Sequence, residues 1–569
     1  MSNRTDKKKV FLIKVPQVEY YEKQKSLSLD VVRTPQVIMP LSLGYLGGFV
    51  REYGRDDFEV SLADVNTRAL IRVGGKNYSL YLLLEIMESL IKNSDYDVIG
   101  ISSAFANNVD WVKKAVALAK GFHPNAPVIL GGGYPTLFAE ESLRSTKAEY
   151  ACIGEGEDTL LALLNRIFKI KNERFEKLFD SEPTSYAYWQ DDIVKIVPRG
   201  PYIKDLDLIP HPAWDLLDID SCNSVFPENT NEIASITSRG CPFKCIYCST
   251  QLAWGSSHRF RSAENVLDEI DLLYERYNIR HVHFVDDNMT INKERMIQIL
   301  DGIVERRRED FTWVGSNFDI RTLYNAKDLI KLMGASKMKS AQLAVESGAP
   351  DTQKYIRKNL NLEKFKQVYE WFLALDIPVK LLLMIGFPEE TEEDIQKTID
   401  LAYELKPHST QVNIVTAWPE TELHERATEG HYLDSDIDIS DMDHRKATGF
   451  VNVAWDYEKL NRLSYDTAID INFLNNRDLN DKRYFPRILE KWSHLETELP
   501  RQAVIKMCLG YLYNHMDKHD IASKYYRRAY KLLKEEDVYK VYGRYLGWKS
   551  SVIEEYNAYA ASVENTNII

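Results

Sequence analysis

Ile233-Ala234-Ser235-Ile236-Thr237 is a short apolar, β-branched run, followed at once by Ser238-Arg239-Gly240 and then by Cys241-Pro242-Phe243-Lys244-Cys245-Ile246-Tyr247-Cys248. The run predicts a buried strand and the Ser-Arg-Gly step a turn. Three thiols therefore stand within eight residues on a loop at the carboxyl end of a strand. Beyond this loop, apolar runs alternate with amphipathic stretches as far as about residue 420. The predicted strands are 233–237, 281–285, 311–317, 342–345, 379–385 and 411–415, separated by predicted helices such as 265–276, 293–307, 364–375 and 393–405. Six repeats are fewer than the eight of a closed barrel. The sequence thus predicts a partial (β/α)6 barrel over 232–425, with its chemistry at the carboxyl ends of the strands and the thiols on the first of those ends.

The same rhythm precedes the barrel. Predicted strands 10–15, 58–63, 98–103, 128–131 and 150–153 alternate with helices 43–53, 81–92 and 109–120, which reads as a flavodoxin-like, doubly wound α/β domain over 1–170. Its ligand belongs beyond the strand ends. A connector over 171–231 contains Pro183, Pro198, Pro201, Pro210, Pro212 and Pro227, with one hairpin over 186–197. After an acidic loop at 434–443, the tail, 426–569, reads as a helical domain. Within it Leu509, Gly510, Tyr513, Ala522, Tyr526 and Ala529 fall at the offsets of one tetratricopeptide-like hairpin. A plain helical hairpin accounts for the same pattern, because repeat arrays normally need three units.

The chain has 569 residues, enough for about three or four domains. With 44% hydrophobic and 28% charged residues, 26 Gly and 20 Pro, it is an ordinary folded chain. Its net charge of −13 repels polyanions, so no nucleic-acid partner is expected. No apolar run is long enough for a signal peptide core or a membrane span, and a cytoplasmic location is expected. Cys152, Cys222 and Cys508 are scattered and read as buried small hydrophobes. The clustered trio differs. Zinc sites take four protein ligands in paired knuckles, and no second pair follows here. Three thiolates can instead hold three irons of a [4Fe–4S] cluster and leave the fourth open.

With Tyr247 as the aromatic residue before the last cysteine, this loop resembles the CxxxCxxC signature of radical S-adenosylmethionine (SAM) enzymes. The resemblance implies that Cys241, Cys245 and Cys248 ligate the cluster and that the open iron chelates SAM. It continues along the barrel. Phe284-Val285-Asp286-Asp287-Asn288 resembles the polar segment near the SAM methionine moiety. Ala344-Val345-Glu346-Ser347-Gly348 is similar to the "ESG" segment near the ribose, and Gly386-Phe387-Pro388-Glu389-Glu390-Thr391 to the "G-x-P-x-E-T" turn. Arg321, after the third strand, is a candidate partner for a carboxylate. For Asp286, Asp287, Ser347 and Arg321 taken singly, capping or rim hydrogen bonding explains the same residue types.

In the first domain, Ser102-Ser103, Gly131-Gly132-Gly133-Tyr134-Pro135-Thr136 and Gly154-Glu155-Gly156-Glu157 follow strands three to five. Glycines and small hydroxyls at strand ends leave room for a bulky ligand against the backbone. Neither a P-loop nor a dinucleotide fingerprint is present. With segments 40–46 and 207–214, these residues resemble the cobalamin-binding domain of cobalamin-dependent radical SAM enzymes. The chain departs from DxHxxG after its first strand, where Pro16-Gln17-Val18 stands, so no histidine there ligates cobalt. The resemblance implies methylation of an unactivated carbon: one SAM yields a 5′-deoxyadenosyl radical and a second supplies the methyl group through cobalamin. It also implies a small-molecule or peptide substrate and a flavodoxin- or ferredoxin-type reductant. The alternatives are a non-methylating member of the family (cyclisation, ring contraction or oxidation) and a non-catalytic cobalamin sensor or scaffold. No catalytic side chain is assigned.

Overall fold

The structure, a computed structural model, describes residues 7–16, 39–74, 79–93, 95–103, 108–179, 182, 184–225, 232–433 and 449–566. Gln17, Val18, Pro183, Pro227 and the acidic loop 434–443 lie outside the described residues. The chain forms two compact units: 1–340 with 356–358 and 416–452, and 341–355 with 359–415 and 453–569.

In the first unit, β1 (Lys8–Lys14), β2 (Phe58–Asp64), β3 (Val98–Ser102), β4 (Val128–Gly131) and β5 (Tyr150–Cys152) are parallel and ordered β2-β1-β3-β4-β5. This is the flavodoxin-like order, in which the strand sequence reverses between β1 and β3 and opens a crevice at the strand ends. The hairpin assigned to the connector is present as β6 (Tyr186–Gln190) and β7 (Ile193–Val197). It pairs antiparallel with β5, so it extends this sheet to seven strands instead of standing apart from it. Phe11, Ile13, Leu83, Met87, Trp111 and Val116 fill the core on one face. Helix Leu41–Tyr53 meets the connector where the Ala213 amide donates to Gly44 O at 2.8 Å, so segments 40–46 and 207–214 are neighbours.

Barrel strand β8 (Glu232–Ser235) is followed by a feature the sequence did not show. β9 (Ser238–Arg239) pairs antiparallel with β10 (Arg259–Phe260) in a two-residue ribbon that closes the neck of the cysteine loop. β11 (His281–Phe284) pairs in parallel with β8 and with β12 (Thr312–Gly315), which is shorter than the predicted 311–317.

β13 (Met338–Glu346) begins in the first unit and continues into the second, where it pairs in parallel with β14 (Val379–Ile385), as β14 does with β15 (Ser409–Ile414). The partial (β/α)6 architecture thus has its six parallel strands. Along β14 buried and part-exposed residues alternate strictly, as a strand with one packed face must. The tail of the second unit is helical, with Trp492, Leu509, Tyr526, Ala529 and Tyr556 in its core. Helices Ala503–His515 and His519–Leu532 form the expected hairpin. A Cβ on Gly510 would come within 2.4 Å of the Tyr526 ring, so the small residue sets their close approach.

Candidate functional site

Two carboxylates from the end of β11 fasten the cysteine loop. Asp286, 1% exposed, accepts hydrogen bonds from the Thr237 amide, Thr237 Oγ1 (2.7 Å) and Ser238 Oγ (2.5 Å). Asp287 accepts from the Gly240 amide (3.1 Å) ahead of the cysteines and from Thr250 Oγ1 (3.0 Å) behind them. Burial raises the Asp287 carboxyl above its ordinary range, partly countered by those two donors. Both aspartates therefore serve as anchors of the loop.

Within the loop, the Cys248 amide donates to Cys245 O and the Ile246 amide to Ile356 O, while Ile246 O accepts from Leu423 N. Arg321 stacks 3.6 Å from the centre of the Phe243 ring and pairs with Asp319 at 2.9 Å. It supports the loop through Phe243. The three thiols are unbridged and half-buried, and Tyr247 is half-buried beside them. Burial pushes the Cys241 thiol up to about 11, with the charges of Cys248 and Cys245 adding to the shift. Among the described residues no three His, Cys, Asp or Glu side chains converge on one point as a single ion requires. A cubane takes one thiolate per iron, and three unbridged thiols on one short loop match that donor set.

Against this loop lies a cavity of about 690 Å³. Leu12, Gly100, Ser102, Ile129, Gly131, Gly132, Gly133, Thr136, Gly154, Glu155, Gly156 and Glu157 line it from the sheet. Ser249, Leu252, Ala253 and Trp254, which follow Cys248 directly, form another part of its wall with Ile236, Arg239 and Trp418. Gly132 sits at φ +96°, and a Cβ there would meet Ser103 O at 2.2 Å, so the turn tolerates no side chain. Thr136 Oγ1 donates to Gly132 O (2.7 Å) and accepts from the Gly154 amide (3.0 Å), tying two of the glycine turns together.

Two of the expected residues do not line the cavity. Ser103 is buried beneath the Gly132 turn, and Tyr134 points into the core with its hydroxyl 3.1 Å from Ser145 Oγ. Glu155 and Glu157 line the cavity, but both are engaged by arginines that the sequence reading did not select. Glu157 meets Arg239 at 2.5 Å, and Glu155 is forked by Arg259. Burial works most strongly against ionisation of Glu157, but the charge and hydrogen bond of Arg239, a backbone amide and the Arg259 charge together outweigh it, holding the carboxyl below its ordinary range.

The remaining expected residues lie in the second unit. Glu346 has φ +64° beside a register shift in β13. Ser347 is fully buried, its Oγ 3.0 Å from Thr398 Oγ1. Gly386 (φ +88°) and Phe387 donate their amides to Glu390 Oε2 at 2.7 and 2.9 Å. Burial pushes the Glu390 carboxyl up to about 7 despite those donors. His211, His281 and His283 are structural: they bond Asn265 O, Thr312 Oγ1 and Ser316 Oγ. Cys152, Cys222 and Cys508 are buried, as expected of small hydrophobes.

A sequence model of the Radical SAM superfamily matches residues 235–402, and one of the B12 binding domain matches 28–164. The chain thus carries a B12-binding domain followed by a radical SAM domain. It is 28% identical to an uncharacterized methyltransferase of Pyrococcus horikoshii over 69% of this chain and 79% of that one. It is 26% identical to cytidylyl-2-hydroxyethylphosphonate methyltransferase of Streptomyces wedmorensis, over 81% and 89%. The solved cobalamin-dependent S-adenosylmethionine radical enzyme OxsB, with aqua-cobalamin and S-adenosylmethionine bound, shares the fold. Its TM-score is 0.63 at 15% identity, over 97% of this chain and 84% of that one. Among the described residues no helix is long and apolar enough to cross a membrane.

Proposed function

We propose that the protein is a cobalamin-dependent radical SAM enzyme that methylates an unactivated carbon. The observation that carries this reading is the shared wall: the residues that follow Cys248 also line the 690 Å³ cavity at the strand ends of the B12-binding domain. Two relatives named as methyltransferases support the reaction type. When bound, the iron–sulfur cluster and SAM would supply a carbon radical, and cobalamin a methyl group.

The chain's own part is positioning and exclusion of water. Cys241, Cys245 and Cys248 would hold three irons, on a loop whose two ends Asp287 fixes through Gly240 and Thr250. Gly131 to Gly133 and Gly154 to Gly156 would let a corrin approach the backbone, and Leu12, Ile129, Leu252 and Trp254 would keep its surroundings dry. Glu346 and the Gly386 turn are assigned to SAM. The substrate is a small molecule or peptide, the electron donor is of flavodoxin or ferredoxin type, and the location is cytoplasmic.

The test is anaerobic reconstitution followed by reaction with SAM deuterated in its methyl group and a strong chemical reductant. About four iron and four sulfide per chain, retained cobalamin, 5′-deoxyadenosine and transfer of label to cobalamin are expected. Protein that makes 5′-deoxyadenosine and retains cobalamin without ever labelling it would favour the non-methylating alternative. Protein that retains neither cofactor overturns the proposal.

A further inference from the structure

In the β9–β10 ribbon, Arg239 stands directly opposite Arg259. Like charges facing one another across an antiparallel pair are destabilising, and these two are 3% and 7% exposed, so water does little to separate them. What lies between them comes from 82 to 104 residues earlier in the sequence, the Gly154-Glu155-Gly156-Glu157 turn after β5. Arg239 Nη2 is 2.5 Å from Glu157 Oε1, and its Nη1 is 3.6 Å from Glu155 Oε2. Arg259 Nη1 is 3.1 Å from Glu155 Oε2, and its Nη2 also pairs with Glu155. Two cations and two anions are thus buried together, and removing one member leaves an uncompensated charge in the interior. Arg259 also donates to Ile203 O (2.8 Å) and Trp254 O (3.1 Å).

The ribbon is the neck of the segment that carries all three cysteines. Glu155, Glu157, Arg239 and Trp254 are at the same time cavity wall. Arg239 Nη1 is buried without a hydrogen-bond partner and has only the Glu155 carboxylate, 3.6 Å away, to answer its charge, so the pair has slack to take up.

We infer that the Glu155–Arg259 and Glu157–Arg239 pairs couple the two cofactor sites, so that filling the cavity with a corrin tightens the neck of the cysteine loop before any cluster is present. Arg259, which does not line the cavity, is a positioning residue in this device. The inference rests on the cavity being a cobalamin site.

The experiment is amide hydrogen exchange on the full chain, free of cluster and SAM, with and without saturating hydroxocobalamin, binding being checked by absorbance. Peptides spanning 238–260 are expected to exchange at least about fivefold more slowly with cobalamin, a coupling of ordinary size. Arg259→Met is expected to reduce that slowing to less than about twofold at saturation, and Arg259→Lys, which keeps the charge but not the fork, to fall between. Equal slowing in wild type and Arg259→Met overturns the inference. If Arg259→Met does not fold, equal slowing in wild type and Arg259→Lys overturns it and reduced slowing in Arg259→Lys supports it. Wild type that binds cobalamin without slowing defeats this inference alone. Wild type that binds none defeats the cofactor reading and this inference with it.

Discussion

The cavity and the cysteine loop are neighbours built on opposite plans. The cavity is shaped by what is missing: Gly100, Gly131, Gly132, Gly133, Gly154 and Gly156 leave backbone bare along strand ends, and aliphatic side chains such as Leu12 and Ile129 close the rest. The loop is shaped by what is present: carboxylates of Asp286 and Asp287, an arginine on Phe243, and three thiols. Chemistry that lives in side chains should fail by deletion, and a site that lives in empty space should fail by addition.

The largest expected effect is a deletion. Cys245→Ala should lower 5′-deoxyadenosine formation by more than about 100-fold, since a cubane held by two thiolates is not retained. Iron and sulfide analysis should show the cluster gone while hydroxocobalamin is still bound. Loss of both cofactors together would break the contrast. The next effect is an addition. A Cβ built on Gly131 meets nothing within 4 Å, so Gly131→Leu should fill the cavity without straining the fold. Absorbance titration should show cobalamin affinity down by at least about tenfold, with the melting temperature nearly unmoved. Gly132→Ala next door should do the reverse kind of damage. Its φ and the 2.2 Å approach to Ser103 O put the cost into folding, of order 1–3 kcal/mol.

This contrast also explains how far the sequence could be read. β14 occurs at 379–385, the residues its apolar run predicts, and the first five strands adopt the expected doubly wound order because βαβ periodicity carries that information locally. The cysteines were legible because three reactive side chains in eight residues need no fold to be noticed. The glycine turns were legible as a cleft, but not which of two consecutive residues faces it. Ser102, the last residue of β3, lines the cavity, and Ser103 is held under the Gly132 turn by its amide's bond to Gly131 O, a distinction set by where the strand ends and not by composition. The ribbon was illegible because two residues carry no periodicity. Its partners Glu157 and Glu155 stand among the expected cofactor-binding residues, but the arginines that complete them lie 82 and 104 residues away in sequence. Asp286 anchors the loop through Thr237 and Ser238, and an aspartate at a strand end looks the same in sequence whether it bonds the rim or meets a cofactor.

The Gly386 turn sharpens the comparison because it combines both plans: a left-handed glycine, and a buried carboxylate that receives the amides of Gly386 and Phe387. Burial dominates there and leaves Glu390 at about 7, against 4.5 for the free side chain. The folded state therefore holds its proton more tightly than the unfolded chain. Below about pH 4.5 both states are protonated and the contribution to stability is complete. Between there and about pH 7 the unfolded chain releases its proton first, and stability is lost as pH rises, by about 3 kcal/mol once pH exceeds the folded value. Glu390→Gln keeps an acceptor for the two amides and removes the titration. The melting temperature of Glu390→Gln relative to wild type, followed by calorimetry, should rise across pH 4.5 to 7.5 and then level off. A difference that stays flat would show that Glu390 binds its proton no more tightly in the folded chain than in the unfolded one, and that burial does not govern this carboxyl.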